Sequence, residues 1–65
     1  MYNYEVNGVT RKEDNFSRVF QFNYSSGLNI DSDSTSRYRI HSACLGRARL
    51  KFQGEDITAL TIKRI

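Results

Sequence analysis

Residues 37–52 read RYRIHSACLGRARLKF, and the periodicity of this stretch decides the fold. Its even positions hold Tyr38, Ile40, Ser42, Cys44, Gly46, Ala48, Leu50 and Phe52. Its odd positions hold Arg37, Arg39, His41, Ala43, Leu45, Arg47, Arg49 and Lys51. Side chains alternate faces along a strand, so extended backbone sets an apolar stripe opposite five formal cations. A helix scatters the same charges around its cylinder, because residues i and i+2 lie on different faces. The alternation therefore predicts strand. Strands usually run to about five or six residues, so this one is expected to bend or split near Leu45 and Gly46, where glycine permits a bulge.

The residues just before it compete with that reading. Residues 31–36, DSDSTS, form the longest stretch without an apolar side chain and offer the best candidate helix N-terminus in the chain. A helix begun there has to run through residues 37–51 against the alternation. The Asp-x-Asp opening also invites a calcium loop, but the sixth position is Ser36 in place of glycine and the twelfth is Ser42 in place of a bidentate glutamate. A solvated loop is the simpler expectation.

Working outward, Tyr2, Tyr4 and Val6 alternate with polar residues as a short strand, and Asn7-Gly8 is the strongest short-range hairpin signal, suited to a type I′ turn. That turn sets Val6 opposite Val9 and Tyr4 opposite Arg11. Residues 11–15 are polar and turn-like, with a single helical turn over 12–17 as the alternative. Residues 16–24, FSRVFQFNY, form the most apolar strand candidate. Ser25-Ser26-Gly27 breaks it before residues 28–30 resume the alternation, suggesting a hairpin of 17–24 with 28–31. Gln53-Gly54-Glu55-Asp56 reads as a turn and residues 57–65 as a last strand, paired with 47–52. The sum is an all-β domain spanning residues 1–65, a small antiparallel meander or partly open barrel of five or six short strands. Its expected core is Tyr4, Val6, Phe20, Phe22, Ile40, Cys44, Leu50, Phe52, Leu60 and Ile62. In the last strand the registers Ile57/Ala59 and Leu60/Ile62 conflict, and the second is taken.

Sixty-five residues lie near the lower limit for a self-sufficient core. Disulfides within the chain are excluded, since Cys44 is the single cysteine, and His41 is the only histidine to join it as a soft metal ligand. Good packing or self-association remains, a homodimer in the simplest case. No signal peptide or apolar run of membrane-spanning length is present, and the unpaired thiol fits a reducing compartment, so the expected location is cytoplasmic and no membrane partner is expected. Charge divides unevenly: residues 1–33 carry three cations against five acids, whereas residues 34–65 carry seven against two.

Catalytic constellations are sparse. Cys44 and His41 point to opposite faces of a strand and meet only if 41–44 turns or coils. The carboxylate pairs Glu13/Asp14, Asp31/Asp33 and Glu55/Asp56 fall in expected turns, where acids serve hydrogen bonding. No glycine-rich phosphate loop occurs. The expectation is a non-enzymatic protein without cofactor or metal. Its candidate contact residues are Arg37, Arg39, Arg47, Arg49 and Lys51, a basic strand face suited to nucleic acid or another polyanion. The competing explanation is a solvated sheet face, with edge charges that block aggregation. A further alternative is a protein-interaction module, an inhibitor or assembly subunit, that meets a protein partner through a sheet face or strand edge.

Overall fold

A computed structural model describes residues 1–13 and 16–65. The element order is β1 (Tyr2–Arg11), β2 (Ser17–Ser26), α1 (Ser34–Lys51) and β3 (Asp56–Arg64). The three strands form one open antiparallel sheet in the order β2-β1-β3, with α1 packed across one face. The all-β expectation of five or six strands is overturned by this helix, which occupies residues 34–51.

The reason lies in a numerical coincidence of the two periods. Ile40, Cys44 and Ala48 belong to the even row of a strand, yet they are also spaced i, i+4, i+8, one above another on a helix. With Ser36 they are the residues of α1 that become buried. Of the other even residues Tyr38 and Leu50 are each 73% exposed, while Phe52, just past the helix, is half-buried against Phe20. Leu50 is therefore not core. The polar run before the helix supplies its cap: Asp33 has extended backbone and its carboxylate accepts a 2.7 Å bond from the Ser36 amide. At the other end the Phe52 amide reaches the Ala48 carbonyl, and Gly54, at φ 84°, makes the turn into β3.

The expected Asn7-Gly8 turn is also absent. Both residues lie inside β1, with Asn7 opposite Gln21 and Gly8 opposite Phe20. Glycine is needed there for space: a Cβ would lie inside van der Waals contact of the Phe20 ring and 2.8 Å from the Ala59 carbonyl oxygen. The turn expected over residues 11–15, and the helical turn over 12–17, reach Asp14 and Asn15, which lie outside the described residues. Residues 28–31 form no second hairpin strand, and β3 pairs with β1 where a hairpin with 47–52 was expected.

Tyr4, Val6, Phe20, Ile40, Cys44 and Ala48 are the buried apolar residues, flanked by the partly buried Phe22, Tyr24, Leu28, Ile30, Leu60 and Ile62. The two registers of β3 are reconciled by a shift of pairing between Val9 and Thr10: Leu60 pairs with Gly8, while Ile57 pairs with Thr10. The extra residue returns Ile57 to the helix-facing side. Thr10, fully buried, donates 2.7 Å to the Glu55 carboxylate, which also receives Arg18 at 3.3 Å.

Two outcomes test this architecture. Gly8→Ala should lower the unfolding free energy in a urea titration by about 1–3 kcal/mol through overpacking, with part of the loss recovered in combination with Phe20→Leu. Unchanged stability would refute the close approach. The Asp33 carboxyl is held below its ordinary pKa chiefly by the Ser36 amide, then by the Ser36 side chain. A folded-state pKa depressed in this way contributes stability above the unfolded pKa and loses it as pH falls through the folded one. The stability difference between wild type and Asp33→Asn should therefore shrink progressively under acid, and a difference independent of pH would count against the cap.

Candidate polyanion interface

The helix redistributes the five cations. Successive residues are about 100° apart on a helix, so the single row expected of Arg37, Arg39, Arg47, Arg49 and Lys51 cannot persist. Arg47 and Lys51, one turn apart, lean over β2: the Arg47 guanidinium lies 5.2 Å from the Tyr24 ring centroid and the Lys51 ammonium 5.4 Å from that of Phe22. Arg37 and His41 turn toward the end of β3, where they line a hollow with Ile30, Asp31, Ile62 and Arg64. Arg49 lines a second depression with His41, Leu45 and residues 57–60. Arg39 is exposed and its charge helps to depress the Asp33 pKa.

What the helix does preserve is an excess of one sign. Residues 34–51 contain five cations and no acid. Among the described residues the ion pairs are Arg18 with Glu55 and Arg64 with Asp31, so both cations involved lie off the helix. Arg49 and Lys51 in the last turn are favoured by the negative end of the helix dipole. Arg47 and Lys51 repel each other at i, i+4, and each is instead placed over a ring.

The β2 side of the molecule thus carries an aromatic row with cations along it. Phe20 and Phe22 are stacked with centroids 6.0 Å apart, and Phe20 meets Phe52 at 4.9 Å. Arg18 sits 5.9 Å from the Phe52 centroid at one end, and Lys51 and Arg47 follow toward the other. Sequence reasoning placed aromatics and cations on opposite faces. The helix brings two of the expected contact residues, Arg47 and Lys51, onto the rings, and it adds Arg18, which the strand alternation gave no reason to choose.

Other chemistry finds little geometry. Among the described residues no three His, Cys, Asp or Glu side chains gather as a metal site, and no helix is long and apolar enough to cross a membrane. The helix places His41 and Cys44 less than one turn apart, but Cys44 is fully buried while His41 is exposed. Burial pushes the Cys44 thiol up, away from the thiolate that a nucleophile needs. No protein-family model, curated protein or solved structure matches the chain.

The thiol provides a direct check. Cys44 should react with a thiol-specific reagent only slowly in the native protein and at the rate of a free cysteine in denaturant. Fast native labelling would show that α1 does not cover it.

Proposed function

We propose that this is a non-enzymatic binding protein whose partner is nucleic acid or another polyanion, held by the cations of α1. The observation that carries the reading is the acid-free helix with five cations, Arg37, Arg39, Arg47, Arg49 and Lys51, none in an ion pair among the described residues. A surface that serves solubility alone ordinarily intersperses both signs. Here the one sign is kept on a single element, and counterion release from a phosphate backbone would repay that arrangement. Arg47 and Lys51, positioned by their rings, lose less side-chain freedom on meeting a phosphate than unconstrained side chains do. The partly buried Tyr24 and Phe22 lie beneath them, so a single-stranded partner with unstacked bases fits this side. The alternative, a module that binds a protein partner through a sheet face or strand edge, draws on the open outer edge of β2.

Fluorescence anisotropy with a labelled single-stranded oligonucleotide, repeated across a salt series, separates the two. Polyanion binding requires log affinity to fall linearly with log salt. Changing Arg47 and Lys51 to Gln should reduce that slope by about 1.4 units, ~0.7 for each single-strand phosphate that the variant leaves un-neutralised, with the circular dichroism unchanged. Absence of binding at low salt would overturn the reading and turn the search to the protein-partner alternative, and salt-independent binding would overturn a site built on phosphate contacts.

A further inference from the structure

The two outer edges of the sheet are unlike. The β3 edge is interrupted by the register shift opposite Val9 and Thr10 and carries Asp56, Lys63 and Arg64. Irregular pairing and charges are devices that keep a strand edge from recruiting another strand. The β2 edge has no irregularity and a single charge. Its pairing with β1 runs from Ser17 to Ser26 without a shift, it contains no proline, and its one charge, Arg18, stands near its start and is tied to Glu55. Val19, 80% exposed, and Phe16, 65% exposed, lie on and beside it. A regular ten-residue edge left open in this way presents a row of unpaired amides and carbonyls.

We infer that β2 pairs antiparallel with β2 of a second copy of this chain, about a twofold axis at Phe22, joining two three-stranded sheets into one of six. The strand's own sequence is complementary to itself in that register. Residues directly opposite in an antiparallel pair share a face. With Phe22 on the axis, Phe20 faces Tyr24 of the second copy, which continues the aromatic row across the junction. On the open face Gln21 meets Asn23 and Val19 meets Ser25, while Arg18 meets Ser26, so no like charges oppose within the strand pair. A one-residue slip sets helix-facing side chains against those of the open face and is disallowed. The small core gives the association a purpose, since chains of this size commonly gain stability from a partner. The inference does not rest on the polyanion reading.

The cations give the dimer a distinctive salt response. Lys51 and Arg47 sit over Phe22 and Tyr24, so the pairs from both copies flank the axis and repel. Added salt screens that repulsion and should tighten the dimer, whereas it must weaken binding to a polyanion. The two proposals therefore fail separately.

Sedimentation equilibrium over a wide concentration range, at low and high salt, is the test. The native chain should pass from monomer to dimer with rising concentration, at lower concentration when salt is high. Gln21→Lys with Asn23→Lys sets like charges across the junction and should leave a folded monomer. Because Gln21 also donates to Glu5 at 2.6 Å, Asn23→Lys alone is the second variant, expected to weaken the dimer without loss of fold. Thr61→Lys, on the β3 edge, should dimerise as the native chain does. A native chain that stays monomeric throughout at high salt overturns the inference, as does undiminished dimerisation of the folded Lys variants or loss of the dimer in folded Thr61→Lys.

Discussion

Everything above the sheet depends on one hydroxyl. Tyr4 is the largest fully buried side chain, and its Oη donates 2.6 Å to the Leu28 carbonyl while accepting from the Ile30 amide at 3.0 Å. The segment between β2 and α1 contains no regular structure, so its polar backbone must find partners elsewhere. The central strand provides two of them. This fixes where the chain leaves β2 and where Asp33 stands to start the helix, and it lays Leu28 and Ile30 against the core. A phenylalanine at position 4 would fill the same space but leave that backbone carbonyl and amide without their partner.

The contact stripe of the helix is nearly all small. Ser36, Cys44 and Ala48 accompany a single larger residue, Ile40, and the bulk of the core comes from the sheet. This division explains how much of the fold was legible. The regions of β2 and β3 read correctly in outline, and β1 in its first half only, since Tyr4, Val6, Phe20 and the partly buried Phe22, Leu60 and Ile62 show the alternation of a half-covered sheet. The helix did not, because every fourth residue satisfies period two as well, and Tyr38, Phe52 and Leu50 completed a false stripe. The cap at Asp33 was visible in the residues 31–36, but local capping carries less signal than sixteen alternating positions. Asn7-Gly8 misled for a different reason: the glycine answers the Phe20 ring, a tertiary demand that dipeptide preference does not contain.

The candidate site follows the same pattern. That residues 34–65 are basic could be counted, and so could the identity of the five helix cations. Which of them share a surface depended entirely on the backbone. A strand would have aligned Arg47, Arg49 and Lys51; the helix separates Arg49 from the other two and gives those two aromatic partners from β2, some 25 residues away in the chain. The pairing of Lys51 with Phe22 needs the helix and the crossover together, and neither alone implies it.

The placement of β1 between strands drawn from opposite sides of the helix has a consequence for how the chain is made. Tyr4 pairs with Tyr24 on one side and with Arg64 on the other. The first pairing closes a short loop and can form early. The second joins residues far apart in sequence, with the whole helix between them, and loop closure of that kind slows folding relative to chains held by local contacts. During synthesis β1, β2 and α1 all emerge before β3, so one edge of β1 stays without its partner until β3 has cleared the ribosome. For that interval the chain's last strand, not its first, decides whether the nascent protein is folded.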